Sequence, residues 1–368
     1  MNIFKKLFFV IVVISTVAAA NVGEISTNPE ITLTSVTESA TANHAAAGST
    51  KSMVIAARNA TVAVSTDTGF GSGFFVTDGG ILVTNYHVIH GAEKIFIWFY
   101  DETIMNRYEA IVMGIDPVAD LAIIQAFVPE YLQPVSFLNI EGNKNDIEIT
   151  DEVFAIGHPG GLDWTVTEGI VSHANRGSRN TPYVRLLQHS ATIAPGSSGG
   201  PLINDDGLVI GVNTYVVGEH QNFAYAVRGD IVYKSVMEML AVGEALYPAI
   251  GVRTISLNPA SRQRLMKENP EANIPDTFGL MVYDKEEDFS DTGLINFDII
   301  VAVNGRSVNN IEDMSDIMLD LAPGVVINLL VIRDRTMTNI DFTLRSVDFD
   351  YITFYDEKNK KGPGPGQR

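Results

Sequence analysis

Residues Ala194 to Leu202 read APGSSGGPL, two adjacent serines in a segment otherwise rich in residues that control backbone shape. A serine hydroxyl is a weak nucleophile at neutral pH. It becomes effective when a general base stands within hydrogen-bond reach and a third group orients that base. It also needs backbone N–H donors aimed at the oxyanion that forms when a carbonyl is attacked. Glycine lets a short loop turn so that successive N–H groups point into one space. The segment therefore suits acyl-transfer chemistry, and its residue types alone leave Ser197 and Ser198 both open as the nucleophile.

The chain contains seven histidines to search for a base. His87, in GILVTNYHVIH, follows an apolar strand-like run and stands at its polar end, a position that projects a side chain into a cleft. For the orienting acid, GIDPVADLAIIQ offers Asp116 and Asp120, and Asp120 directly precedes the apolar run Leu121 to Ile124, at a strand edge. The order along the chain is then His, Asp, Ser. That is the chymotrypsin order, unlike those of subtilisin and the α/β-hydrolases.

The elements that must hold these groups read as strands. From Lys51 onward, short runs such as TVAVS, KIFIWFY, LAIIQAF, VFAIGHP and LVIGVNTYVV recur between turn signals, including DGG and NDDG. Their length and their β-branched and aromatic content predict an antiparallel barrel or sandwich. A helix is predicted from Asp230, with Ile231, Val232, Ser235, Val236, Met239 and Leu240 on one face and Gly243 near its end. A second unit begins near Tyr247. It alternates strands (AIGVRTIS, GLMVYD, VVINLLVIR) with a polar crossover and one helix capped by Asn310, whose stripe is Met314, Ile317, Met318 and Leu321. That mixture predicts a small α+β domain.

The whole chain sets limits. It has 368 residues, 46% hydrophobic and 19% charged, an ordinary globular balance. A formal net charge of -19 repels phosphate backbones, which argues against nucleic-acid binding. The start, MNIFKKLFFVIVVISTVAAA, has two lysines, a short apolar run and a small-residue cleavage site, so residues 1–20 read as an export leader cut after Ala20. The alternative is an uncleaved membrane anchor. No further membrane span is expected. Residues 21–50 read as a flexible linker and the Gly/Pro-rich end, 347–368, as a partly disordered tail. With no cysteine, neither disulfides nor thiolate chemistry is available. No histidine pair has metal-ligand spacing beside a carboxylate. His90 and His189 read as structural and His158 as a turn residue near the cleft.

The segments GSGFFV, LVTNYHVI, DLAIIQ, AIGHPGGLDWTVTEGIVS and PGSSGGPL together resemble the successive motifs of the HtrA/Deg serine proteases, exported trypsin-like enzymes with C-terminal PDZ domains. YPAIGV and TGLINFDIIVAVNGRSVNNIEDM resemble parts of such a PDZ domain, and the match runs from about residue 55 to 345. The resemblance implies a mainly β fold, with a chymotrypsin-like double β-barrel over 51–244 and a small α+β PDZ domain over 245–346. It implies Ser198 as nucleophile, His87 as general base, Asp120 as its orienting acid, and the N–H groups of Gly196 and Ser198 as the oxyanion hole. Thr192, Ile193, Asn213 and Thr214 are expected to line the substrate pocket, with small or medium aliphatic residues preferred. An uncharged Thr192 argues against a preference for Lys or Arg. Ala249, Ile250, Gly251 and Val252 match the family's carboxylate-binding loop, where a hydrophobic C-terminal peptide adds to a sheet edge.

The resemblance further implies unfolded proteins as substrates, a homotrimer or higher homo-oligomer, a periplasmic or secreted location, and no cofactor or metal. Two departures stand out. HSA (His189, Ser190, Ala191) replaces the family's Thr-Asp-Ala, and FAYAV replaces its FAIP-like segment. The other functional class is a chaperone or peptide-binding scaffold with weak or conditional proteolysis. An esterase would use the same three residues but leaves a peptide-binding domain without a purpose.

Overall fold

The apolar runs pair into closed sheets in a computed structural model that describes residues 49–99, 107–129, 138–140, 147–159, 164–177, 184–216, 223–270, 274–285 and 292–346. The expected leader, the linker up to residue 48 and the tail from residue 347 lie outside these residues. Helix α1 (Thr50–Ala60) leads into β1 (Thr61–Thr66), β2 (Phe70–Phe75), β3 (Ile81–Thr84), the short α2 (Tyr86–Ile89), β4 (Ile95–Phe99), β5 (Tyr108–Asp116) and β6 (Leu121–Ala126). These strands close a barrel in the order β1-β2-β3-β6-β5-β4. A second barrel contains β7 (Glu152–Gly157), β8 (Thr165–Gly177), β9 (Arg185–His189), β10 (Pro201–Ile203), β11 (Val209–Val216) and β12 (Ala224–Arg228), in the order β10-β11-β12-β9-β8-β7. This is the double barrel that the resemblance implies; the strand runs alone left barrel and sandwich open.

The two barrels share one apolar cluster. Phe74, Ile81 and Leu121 of the first meet Ile156 and Val212 of the second, and α3 (Gly229–Val242) adds Ile231 and Val236. Each such fully buried side chain contributes about 1.5–3 kcal/mol, so this cluster holds the two barrels together. Gly243 ends α3 in the left-handed conformation, as the sequence suggests. A buried polar knot reinforces the junction. The Asp116 carboxylate, with no solvent exposure, accepts from Ser235 Oγ (2.7 Å), Tyr247 Oη (2.7 Å) and Ala119 N (2.9 Å). Burial raises its pKa against the pull of these bonds.

After α3 come β13 (Pro248–Ala249), β14 (Val252–Leu257), α4 (Pro259–Glu268), β15 (Gly279–Lys285), β16 (Ile299–Val303), β17 (Arg306–Ser307), α5 (Ile311–Met318), β18 (Val326–Arg333), β19 (Thr336–Thr343) and β20 (Arg345–Ser346). The main sheet runs β14-β15-β16-β18-β19 with β17 on β16, and β13 pairs with β20. Asn310 caps α5 by accepting from Asp313 N, and Met314, Ile317 and Met318 are its buried stripe, the one visible in the sequence. A different element replaces the expected polar crossover. There α4 forms because Asn258 and Ser261 cap it reciprocally and Pro259 fits its first turn, although Leu265 is its one buried residue. Among the described residues, no helix is long and apolar enough to cross a membrane.

Candidate active site

Strand pairing brings the candidate base and acid together. β3 runs antiparallel to β6 with Thr84 opposite Ala122, so the residues just after β3 lie beside those just before β6. There Asp120 takes a positive φ of 57°, and its carbonyl accepts from Tyr86 N (3.1 Å) and Asn85 Nδ2 (2.7 Å). Its carboxylate faces His87. Oδ1 accepts from His87 N (2.9 Å) and Oδ2 lies 2.7 Å from His87 Nδ1. Thr214 Oγ1 donates to the same Oδ2 at 2.7 Å. Burial pulls the His87 pKa down, but the Asp120 bond and charge outweigh it, so the pKa is raised from the ordinary histidine value. With Nδ1 turned to a carboxylate, Nε2 is left to accept a proton.

The serine loop is positioned by the second barrel and seated on the first. β10 and β11 pair with Pro201 opposite Val212, which carries Ser198–Gly200 alongside Asn213 and Thr214. Gly199 N donates to Asn213 O and Asn213 N to Gly200 O. Gly199, at φ 85°, packs directly on Ser72 O, Thr84 Oγ1 and Asn85 N, and Gly200 packs on Ile156 O, so neither position has room for a Cβ. The paired glycines let the loop approach the residues that flank His87. The Ser197 side chain turns inward, its Oγ accepting from Ala194 N at 3.3 Å. Ser198 is half-buried and its Oγ donates to Thr214 O at 3.0 Å. A relay of hydrogen bonds thus runs from Ser198 through Thr214 and Asp120 to His87. Among the described hydrogen bonds none joins Ser198 Oγ directly to His87, and neither Gly196 N nor Ser198 N has an acceptor.

The other site candidates are distributed differently. Thr192 is exposed and Ile193 half-buried at the edge of the serine loop. Asn213 was expected to line a pocket, but its side chain has no solvent exposure and Nδ2 donates to Gly200 O (3.1 Å) and Pro201 O (3.0 Å). Thr214 directs its hydroxyl at Asp120, a role the sequence reading did not anticipate. Beside it, exposed Tyr215 stacks on Tyr225 with ring centroids 5.3 Å apart. His158 is buried, with its ring against Trp98 and Trp164. His189 has no solvent exposure, and its ring nitrogens make no hydrogen bond of good geometry among the described residues, although the Asn213 side chain and the Ala191 backbone lie near enough to act on the ring.

In the C-terminal unit, Ala249 pairs with Arg345, and Ile250 is buried in the apolar core of that unit. Gly251 takes φ 72°, and Val252 opens β14, which is an edge strand of its sheet. The α5 N-terminus lies alongside, Ile311 N donating to Ser256 Oγ at 3.2 Å. Buried Arg185 of β9 joins the units. It donates to Asp316 Oδ1 (2.9 Å) and Glu312 O (2.6 Å) on α5.

Comparison with known proteins points to the same chemistry. Residues 71–212 match the family model described as trypsin-like peptidase domain. A "Probable periplasmic serine endoprotease DegP-like" of Chlamydia muridarum is 31% identical over 285 residues, covering 75% of this chain and 54% of that protein. "Protease Do-like 1, chloroplastic" of Arabidopsis thaliana is 30% identical over 288 residues, covering 75% of this chain and 63% of its own length. The chain therefore spans between 54% and 63% of these two curated relatives. Among solved structures, the serine endoprotease from Yersinia pestis is 26% identical with a TM-score of 0.63, over 82% of this chain and 100% of that one. An HtrA-type protease, AlgW, solved with a tripeptide, shares the fold with a TM-score of 0.70 at 24% identity, over 82% of this chain and 98% of that one. The motifs, the double barrel and these relatives agree: the chain carries a trypsin-like peptidase domain over residues 71–212 and is similar to the HtrA/Deg serine proteases.

Proposed function

We propose that the chain is a serine endopeptidase that degrades unfolded or damaged proteins outside the cytoplasm. The observation that carries this reading is the relay in which one oxygen, Asp120 Oδ2, meets both His87 Nδ1 and Thr214 Oγ1 at 2.7 Å, while Thr214 O holds Ser198 Oγ. On substrate binding, Ser198 Oγ turns from Thr214 O to His87 Nε2 and attacks the scissile carbonyl as Nε2 takes its proton. Asp120 orients the ring and stabilises the imidazolium, which its raised pKa already favours. The oxyanion forms between Gly196 N–H and Ser198 N–H. His87 then returns the proton to the leaving amine, and water completes hydrolysis of the acyl-enzyme by the same route. Removing either the base or the nucleophile abolishes proton transfer and attack together, so each loss costs about as much as losing both.

Ala249 to Val252 form the carboxylate-binding loop of a PDZ domain that adds hydrophobic C-terminal peptides along the free edge of β14. The leader exports the chain to the periplasm, and the active form is a homotrimer or higher homo-oligomer. The Chlamydia muridarum relative, a probable periplasmic serine endoprotease, supports the compartment. A second reading, a chaperone or peptide-binding scaffold with conditional proteolysis, draws on the resting orientation of Ser198 Oγ toward Thr214 O. Degradation of casein by the purified chain, with and without hydrophobic C-terminal peptides, separates the two. The endopeptidase reading expects cleavage that is lost in Ser198→Ala and largely kept in Ser197→Ala. Absence of cleavage in every condition favours the scaffold.

A further inference from the structure

Ser72, in β2 of the first barrel, touches the nucleophile loop of the second barrel at two points. The residue has no solvent exposure. Its Oγ donates to Gly196 O at 2.6 Å and accepts from His158 N at 2.9 Å. Its own N–H donates to Ser198 O at 2.8 Å, and its carbonyl accepts from Thr84 Oγ1 at 2.7 Å. All four of its polar groups and valences are thus engaged, two of them on the loop.

Peptide by peptide, these bonds have a clear consequence. The peptide unit joining Gly196 to Ser197 is held at both ends, its oxygen by Ser72 Oγ and its N–H by Ala194 O at 2.9 Å. The unit joining Ser198 to Gly199 is also held at both ends, its oxygen by Ser72 N and its N–H by Asn213 O at 2.8 Å. The two N–H groups without acceptors, those of Gly196 and Ser198, lie on the peptide units directly preceding these anchored ones. A peptide plane is rigid, so anchoring every second unit leaves only the intervening dihedrals to settle, and those set where the free N–H groups point. Gly196, at φ 103°, has wide conformational freedom and is the position most in need of such an anchor.

We propose that Ser72 is a positioning residue for the oxyanion hole, fixing the direction of both donor N–H groups through its hydroxyl on Gly196 and its N–H on Ser198. The inference rests on the endopeptidase reading above. It assigns Ser72 no contact with substrate. In Ser72→Ala the backbone anchor on Ser198 remains, but Gly196 O and His158 N lose their shared partner. The lost hydroxyl lies beside Gly157, where an added Cβ would stand 3.1 Å from Ser72 Oγ. The loop then rotates to satisfy the stranded groups, and the Gly196 donor leaves its aim.

The test is steady-state hydrolysis of a peptide substrate by the wild-type chain, Ser72→Ala and Ser198→Ala. Active sites are counted by fluorophosphonate titration, and inhibition by a peptide aldehyde is measured in parallel. A misdirected oxyanion donor costs on the order of 30- to 100-fold in kcat. The expected result for Ser72→Ala is that loss per titrated site, with KM within about threefold, because ground-state binding does not use the hole. The aldehyde, which forms a tetrahedral oxyanion on the serine, weakens by a similar factor. The acid limb of the pH profile stays in place, because His87 and Asp120 are untouched. If Ser72→Ala unfolds at the assay temperature, Ser72→Cys, whose S–H is only a weak donor, should show a smaller loss of kcat that still exceeds about threefold, with KM and the acid limb unchanged. A kcat within threefold of wild type overturns the proposal, as does a loss explained by fewer titratable sites or a shifted acid limb. A wild-type chain no more active than Ser198→Ala overturns the endopeptidase reading and this inference together. An active wild type with an equally active Ser72→Ala overturns this inference alone.

Discussion

Replacing His189 with Leu removes a buried titratable ring from β9, and its effect should depend on pH in a defined way. Burial drives the pKa of the ring down to about 4, and the Asn213 side chain and Ala191 backbone offset this only in part. In the unfolded chain the same ring titrates near 6.5. Between those values the unfolded chain binds more protons than the folded one, so acid favours unfolding. Stability contributed by keeping this ring neutral is intact above about pH 6.5 and is lost as pH falls toward 4. The pKa difference corresponds to about 3 kcal/mol by pH 4, or roughly 5–10 °C in Tm for a domain of this size. The assay is urea unfolding of wild type and His189→Leu at pH 7, 6, 5 and 4. Carboxylates contribute equally to both chains, so the difference between the curves isolates His189. The expected stability difference between the variant and wild type changes in favour of the variant by about 3 kcal/mol from pH 7 to pH 4. Parallel pH dependences would refute the reasoning, since they would mean that the ring titrates alike in both states.

Three further outcomes follow from the same geometry. Because the base must be neutral and Asp120 raises its pKa, kcat/KM should fall as pH drops through a value above 6.5, and Asp120→Asn should move that limb to lower pH; a pH-rate profile reads both. Asp116→Ala strands the buried donors Ser235 Oγ, Tyr247 Oη and Ala119 N, and should cost about 3 kcal/mol in denaturant unfolding. Asp316→Ala leaves the buried Arg185 guanidinium with only the Glu312 carbonyl as its described partner on α5, and should cost about 2–4 kcal/mol, whereas the paired change Arg185→Met with Asp316→Ala should recover part of it.

Much of the fold was legible because its strands announce themselves locally. Runs such as LAIIQAF and VFAIGHP carry their own β-branched pattern, and Gly207 closes the turn at Asn204 that joins β10 to β11. The elements that escaped are those whose stability is not written in apolar periodicity. α4 is polar along most of its length and is started by a capping box, and three-residue β10 exists only because β7 and β11 flank it. In the candidate site, His87 and Asp120 stand out because each flanks an apolar run, while the glycine loop marks Ser197 and Ser198 together and only the family resemblance singles out Ser198. Ser72 gave no such signal, since its partner Gly196 is 124 residues away and a serine in GSGFF looks like any strand residue. Asn213 and Thr214 are expected from the sequence to line a substrate pocket, but strand alternation does not reveal that the Asn213 side chain is fully buried and that the Thr214 hydroxyl meets Asp120.

The central claim is that Ser198, activated by His87, is the nucleophile. The most direct measurement is to incubate the full chain with a fluorophosphonate, digest it, and locate the adduct by mass spectrometry, with His87→Ala in parallel. A single adduct on Ser198 is expected, forming slowly or not at all in His87→Ala. An adduct on Ser197, or labelling of Ser198 at an equal rate without His87, would contradict it.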